Sequence, residues 1–229
     1  MINVGFSRSE ATQKPLSRAF HRLRPVLFAL LPVLSLSLTA CIGGKSPPSE
    51  FYMLEPIKAT VDARITGKTG GQAIALAPVR MPQYVDRPQM VTGLSKNVYK
   101  LSETNRWAER LDDNISRVLA QNLSLLMPSE VVLANSTVRS KQAKLRVYVA
   151  ILEFHVDPQG QAGLTAQWNV ARGEETLLGR QASYREAASV TDYGIMASAL
   201  NECLNRLSRD LALDLMGLEG EAGTAMLLN

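Results

Sequence analysis

The stretch Leu145-Arg-Val-Tyr-Val-Ala-Ile-Leu-Glu-Phe-His-Val156 is long and rich in β-branched and aromatic residues. This composition predicts a long β-strand, and both of its alternating faces are largely apolar. We therefore expect one face to cover a layer of helices and the other to be available to a partner. Residues 162–170 return after a turn at Asp157-Pro-Gln-Gly160, and residues 176–186 form a third strand after a second turn at Arg172-Gly-Glu174. Together the three segments predict an antiparallel meander.

Two amphipathic helices are predicted on either side of this meander. The first is capped by Asn105, ends at Pro128 and has apolar residues at spacings of three and four, which make one stripe: Trp107, Leu111, Ile115, Val118, Leu119, Leu123 and Leu126. The second runs from about Asp192 to Leu215, with the stripe Met196, Leu200, Cys203, Leu207, Leu211 and Leu215. Gly217 and Gly220 follow it, where glycine commonly ends a helix.

Shorter strands complete the expected fold. They are predicted at Phe51–Leu54, at 73–79, at 131–133, and in a hairpin that pairs Val91-Thr92 with 98–101. The order of strands, helix, strands and helix predicts a two-layer α+β domain over residues 51–217, with two long helices on a mostly antiparallel or mixed sheet. Residues 218–229 are expected to form a loose tail.

The first 40 residues have the features of an export signal. They carry five basic residues and one acidic residue, which accounts for the whole net charge of +4, so the rest of the chain has no general attraction for nucleic acid. The basic part ends at Arg24 and an uncharged run of 16 residues follows, Pro25 to Ala40. This run is shorter than the roughly 20 apolar residues of a membrane span, and it contains prolines and serines. It therefore predicts a signal peptide over 1–40.

The end of that segment, Leu38-Thr39-Ala40-Cys41, resembles the bacterial lipobox. Leu38, Thr39 and Ala40 match the residues that signal peptidase recognises, and the Cys41 thiolate is the nucleophile that accepts a diacylglycerol. We expect cleavage before Cys41, a lipidated flexible tether over 41–50, and acyl chains that hold the protein on a bilayer. Position 42 is Ile42 rather than the aspartate that retains lipoproteins at the inner membrane, which favours the outer membrane.

Catalytic and metal sites are not indicated by the remaining sequence. His155 is interpreted as an ordinary strand histidine, and Cys203, on the apolar stripe of the second helix, as a buried inert thiol. Neither a nucleophile motif nor a spaced set of metal ligands is evident, so we expect no catalytic residues, metal or cofactor.

Residues 80–90 are a proline-punctuated segment with two open interpretations. Its apolar and aromatic side chains can dock a partner, with Tyr84, Arg87 and Met90 as candidate binding residues, since prolines lower the entropy lost on docking. Alternatively, these side chains can pack into the core of the domain.

Several segments in series resemble the PqiC/YmbA family of ABC-type transport auxiliary lipoproteins. They are the lipobox, Phe51-Tyr-Met-Leu54, Ile74-Ala-Leu-Ala-Pro-Val79, Tyr84 to Val91, and Arg106-Trp107. The resemblance covers about residues 50–216 and implies no catalytic residues.

The resemblance also implies a function beside MCE-domain proteins, which form tunnels that move lipids between the inner and outer membranes. The expected partners are an MCE-domain protein, its inner-membrane transporter and the membrane that holds the anchor. A ring of copies that matches the tunnel symmetry follows from that partner alone, and direct contact with phospholipid stays open. The alternatives are a stand-alone lipid-binding or envelope-assembly lipoprotein and an envelope hydrolase.

Overall fold

The computed structural model describes residues 47–58, 73–134 and 138–227, a part of the chain with eight strands and three helices. The strands are β1 (Glu50–Tyr52), β2 (Ile74–Leu76), β3 (Gln89–Ser95), β4 (Val98–Trp107), β5 (Val131–Leu133), β6 (Leu145–Val156), β7 (Gln161–Arg172) and β8 (Glu175–Ala187). The helices are α1 (Leu111–Leu126), α2 (Val138–Gln142) and α3 (Tyr193–Leu227). The predicted signal peptide, the lipobox and Ile42 lie outside the described residues, as does most of the predicted tether.

Strand β6 lies at the centre of a mixed eight-stranded sheet. On one side it pairs antiparallel with β7, which in turn pairs antiparallel with β8, so the predicted meander is confirmed. On the other side β6 pairs in parallel with β2 at its start and with β3 at its end. Strand β5 extends the sheet beyond β2, and β4 and β1 extend it beyond β3. The segment 81–88 therefore lies where the sheet divides, between β2 and β3.

The helices α1 and α3 pack on one face of this sheet. Every residue of the predicted stripe on α3 is at most 2% exposed, which confirms the stripe. Trp168 of β7 is 0% exposed, and its Nε1 donates to Asp214 Oδ2 of α3 over 2.9 Å, so the indole is buried with its N–H bonded. The predicted two-layer α+β fold is confirmed. Within the described residues, no helix combines the length and apolar character that crossing a bilayer requires.

The first long helix begins later than predicted. It starts at Leu111, after Arg110, whose side chain makes no capping hydrogen bond. Asn105 is not an N-cap, and Trp107 is not in a helix, because both belong to β4, which pairs there with β1 on one side and β3 on the other. Backbone hydrogen bonds to two neighbouring strands determine the conformation of this segment. The four-residue spacing from Trp107 to Leu111 matches a helical repeat, but Trp107 lies before the helix begins. Trp107 is still a core residue, at 6% exposure.

The last helix continues beyond its predicted end. Gly217 and Gly220 both lie inside α3, which extends to Leu227, so the predicted loose tail is helical over residues 218–227. Tertiary contacts support the extension, because Ser129 Oγ donates to Glu219 Oε1 over 2.6 Å and Leu218 packs partly on the core. A glycine ends a helix when it takes a left-handed conformation, and neither of these two does.

Residues 53–58, which we call the strap, run from β1 along both long helices. The backbone N–H of Glu55 donates to Asn201 Oδ1 of α3 over 2.7 Å, and that of Ile57 donates to Asn122 Oδ1 of α1 over 2.8 Å. The Nδ2 of Asn122 then donates to Asn205 Oδ1 and Ser208 Oγ of α3. Side-chain amides thus supply the hydrogen bonds that a neighbouring strand would otherwise provide.

Candidate functional site

An open groove of about 740 Å³ lies beside the β3–β4 hairpin, where β3 meets the end of β6. Along β6 the buried residues, such as Val149 and Phe154, face the helices, and His155 lies on the opposite face of the sheet. The groove is lined by Tyr84, Gly93, Leu94, Ser95, Lys96, Asn97, Tyr99, Leu152, Glu153, His155, Pro158 and Gln159. The free second face of the 145–156 strand, expected from its sequence, is therefore present and carries a concave site.

Three aromatic rings lie together in the lining of the groove. The Tyr84 and Tyr99 ring centroids are 4.9 Å apart at an interplanar angle of 36°, and His155 meets both rings edge-on, 5.9 Å from Tyr84 and 5.2 Å from Tyr99. The Tyr84 hydroxyl lies 3.2 Å from His155 Nδ1. Aromatic pairs in this geometry are attractive beyond the area they bury, so the three rings hold one another in place.

A carboxylate network continues from the rings across β7 to β8. Glu153 Oε2 accepts hydrogen bonds from Arg185 Nη2 over 2.8 Å and from Thr165 Oγ1 over 2.9 Å. Glu153 Oε1 lies 3.9 Å from His155 Nε2. Gly163 makes room for the Glu153–Arg185 ion pair, because a Cβ there would come within 2.6 Å of Glu153 Oε1 and 2.7 Å of Arg185 Nη1.

Burial favours the neutral forms of Tyr84 and His155. It raises the pKa of Tyr84 to about 12 and lowers the pKa of His155 below its usual 6.5. At neutral pH the Tyr84 phenol can therefore donate to an uncharged His155. The Glu153 carboxylate is already bonded to Arg185 and Thr165. The arrangement offers aromatic surface and fixed hydrogen-bonding groups to a partner, which is the chemistry of recognition.

The groove is rimmed by exposed apolar side chains. Leu94 is 56% exposed, Tyr99 46% and Leu152 44%. On β4, the exposed Leu101 shares a face with Tyr99. Only residues 105–107 of β4 pair with β1 in the described part of the chain, so the edge of 98–104 that faces away from β3 is free.

The structure separates the three predicted partner-binding residues. Tyr84 lines the groove. The guanidinium of half-buried Arg87 donates from Nη2 to the Gln83 carbonyl over 3.3 Å. Met90 is 2% exposed in β3, so its assignment to a partner surface is wrong: the alternation of the strand turns this side chain into the core. Val85 is also buried, at 2% exposure, so the segment serves the core and the groove with different side chains.

Sequence reasoning missed most of the groove. Tyr99 belonged to a predicted hairpin and His155 was interpreted as an ordinary strand histidine, and neither was chosen as a site residue. The available signal was the apolar second face of 145–156 combined with the single histidine of the chain beyond the leader.

No cysteine is among the residues that line the groove. Cys203 is buried, its Sγ donates to the Ala162 carbonyl over 3.7 Å, and burial raises its pKa to about 11, which agrees with the predicted inert thiol. Among the described residues, no group of three or more His, Cys, Asp or Glu side chains is placed to hold a metal ion. The predicted lipidation residue Cys41 and its neighbours Leu38, Thr39, Ala40 and Ile42 lie outside the described residues.

Solved structures share this fold. A crystal structure of an uncharacterized protein superposes with a TM-score of 0.61 at 20% identity, covering 74% of this chain and 99% of that one. A crystal structure of a Xanthomonas campestris protein superposes with a TM-score of 0.57 at 12% identity, covering 77% of this chain and 98% of that one. At these identities the likeness shows the fold alone.

Sequence comparison places the chain in a family. It is 27% identical over 139 residues to the intermembrane transport lipoprotein PqiC of Escherichia coli strain K12, which covers 61% of this chain and 71% of the relative, and the same figures hold for PqiC of Shigella flexneri. A family model described as the ABC-type transport auxiliary lipoprotein component matches residues 52–212, well over half of the chain and nearly all of the folded domain. This chain therefore belongs to the family of ABC-type transport auxiliary lipoprotein components.

Proposed function

We propose that this chain is a non-enzymatic lipoprotein subunit of an MCE-type system for lipid transport between membranes. Acyl chains on Cys41 hold it at the periplasmic face of the outer membrane, where it docks the periplasmic MCE tunnel. Its family and its similarity to PqiC support a transport function. The observation that carries the docking function is the open sheet face, where exposed Tyr99 and Leu152 line a groove together with the rings of Tyr84 and His155.

The chemistry of the groove favours a protein partner. Tyrosine is enriched at protein interfaces because it combines a large apolar ring with a polar group at low entropic cost. Tyr84 is fixed by its two ring neighbours, so little freedom is lost when a partner covers it. The free edge of β4 beside the groove offers further backbone hydrogen bonds to an extended segment of the partner.

Capture of the MCE-domain protein tests this function. The tagged lipoprotein is purified from membranes in mild detergent, and the co-purified MCE-domain protein is quantified for wild type and for the double variant Tyr99→Ala with Leu152→Ser. Both side chains are exposed, so we expect the variant to fold with a melting temperature close to that of wild type and to lose most of the captured partner. Leu213→Ser, at a position 64% exposed on α3, is the matched control and should capture as wild type does.

Two outcomes of the capture experiment would contradict this proposal. Normal capture by a correctly folded groove variant would remove the groove from the interface. If even the wild type captures no MCE-domain protein, the stand-alone lipoprotein is the better interpretation.

A further inference from the structure

Three groups of exposed large apolar side chains stand out among the described residues. One group surrounds the groove and the hairpin next to it. A second lies on the two long helices: Leu125, Leu213 and Met216. The third, which we call the entry corner, lies where the chain enters the domain and consists of Phe51 and Met53.

The entry corner is formed by β1 and the strap. Along β1 and the strap, Tyr52 packs against the core and Leu54 is 0% exposed, whereas the alternate residues Phe51 and Met53 are 64% and 47% exposed. Since successive side chains of an extended segment point to opposite sides, Phe51 and Met53 share the outward side.

We propose that the entry corner rests on the surface of the lipid bilayer that holds the acylated Cys41, so that the domain contacts the membrane as well as being tethered to it. This inference depends on the lipidation that the proposed function assumes. Phe51 follows Cys41 by ten residues, which span at most about 35 Å when fully extended. A flexible coil of that length has a mean end-to-end distance of about 17 Å.

The tether therefore gives the corner a high effective concentration at the membrane, and a weak surface affinity is sufficient to hold it there. An exposed aromatic ring with an exposed methionine on the same side of the segment is the kind of surface that enters the headgroup layer. Arg106 stands opposite Phe51 in the β1–β4 pairing, so a guanidinium lies next to the corner, where it can meet lipid phosphates. The bilayer is the occupant that the covalent anchor brings to this surface.

Quenching of tryptophan fluorescence by brominated lipids tests the contact. Full-length lipoprotein is produced with its anchor and reconstituted into vesicles of phosphatidylethanolamine and phosphatidylglycerol, with or without brominated acyl chains. Phe51→Trp is compared with Leu213→Trp, because both native side chains are 64% exposed and Leu213 lies in the second group, on α3 rather than in the entry corner. The native Trp107 and Trp168 are 6% and 0% exposed and give the same background in every variant.

We expect the added fluorescence of Phe51→Trp to fall by half or more with brominated lipids, and that of Leu213→Trp to stay unchanged. Flotation of each variant with the vesicles is measured in parallel and reports the anchor by itself. If Phe51→Trp floats but is quenched no more than Leu213→Trp, the surface contact is refuted and the lipid anchor stands. If the wild type does not float, the anchor fails and the surface contact fails with it.

Discussion

The side-chain amide of Asn114 closes two hydrogen bonds with the backbone of Leu54. Its Oδ1 accepts from the Leu54 N–H over 2.8 Å, and its Nδ2 donates to the Leu54 carbonyl over 3.2 Å. Asn114 is 1% exposed and Leu54 is 0% exposed, so neither backbone group has water as an alternative partner. One side chain of α1 thus makes the backbone hydrogen bonds that a neighbouring strand would make with the strap. It holds the strap in place at the point from which the chain leads back to the predicted anchor.

Asn114→Ala should destabilise the domain by about 2–4 kcal/mol, because it leaves a buried donor and a buried acceptor without partners. Urea denaturation of the purified protein measures this loss. Asn201→Ala is the comparison, since Asn201 accepts a single hydrogen bond from the strap in a more exposed position, and it should cost less. Equal losses of unfolding free energy in the two variants would show that the two hydrogen bonds to Leu54 contribute no more stability than the single hydrogen bond to Asn201.

Trp107→Ala should cost about 3–5 kcal/mol of unfolding free energy, in keeping with the truncation of a large buried aromatic side chain. Its ring centroid is 6.2 Å from that of Phe154, so the change opens the core between β4 and β6. Denaturation by urea gives the free energy. Leu94→Ala, at a position 56% exposed in β3, should stay within about 0.5 kcal/mol of wild type. A loss below about 1 kcal/mol for Trp107→Ala would contradict its place in the core.

The stability of the domain should fall as the pH drops through about 6.5, the usual pKa of histidine. The pKa of His155 is lowered in the folded state because burial disfavours the charged ring. As the pH falls, the unfolded chain therefore binds the proton first, and the equilibrium shifts toward unfolding until the folded state is protonated as well. Denaturation at pH 7.5 and 5.5 should show a smaller pH effect in His155→Asn. The same pH effect in both proteins would exclude His155 as its source.

Cys41→Ala should abolish incorporation of labelled palmitate and leave an uncleaved precursor, since it removes the nucleophile that accepts diacylglycerol. Gel electrophoresis with fluorography reads out both changes. Cys203→Ala is the control and should label as wild type, because that thiol is buried in the domain. Retained palmitate labelling in Cys41→Ala would contradict the proposed lipid anchor at Cys41.

Ile42→Asp should move the lipoprotein from the outer-membrane to the inner-membrane fraction if the organism uses the aspartate signal for retention. Separation of the two membranes on a sucrose gradient, followed by immunoblotting, gives the distribution. Ile42→Ser also leaves position 42 uncharged and should stay in the outer membrane. An unchanged distribution for Ile42→Asp would show that sorting uses another code.

Patterns of local sequence correctly predicted the elements whose structure depends mainly on their own residues. Both the meander β6–β8 and the stripe on α3 agree with prediction, because alternation and helical spacing report which side chains a strand or helix can bury. The errors occurred where contacts with residues distant in sequence determine the conformation. Asn105 and Trp107 become strand because β1 and β3 pair on either side, and Gly217 stays helical because the contacts of Ser129 and Leu218 extend the helix past it.

The groove depends even more on contacts between residues that are distant in sequence. Tyr84 was selected from its own segment, whereas Tyr99 and His155 join it only because β3, β4 and β6 meet in the sheet. For Met90 the sequence left both a partner surface and the core open, since in a proline-rich segment it does not reveal where the strand begins and hence which residues alternate inward.

By itself, the sequence determined the elements with strong periodicity and the resemblance that leads to the transport family, because both depend on residue order alone. It also carries the segment that resembles a lipobox, and that resemblance likewise depends on residue order alone. Only the tertiary structure decided which face of β6 stays open, which rings form the groove, and how Asn114 holds the strap. Those features are contacts between residues far apart in sequence, and their geometry is set by strand pairing and by the satisfaction of buried backbone groups.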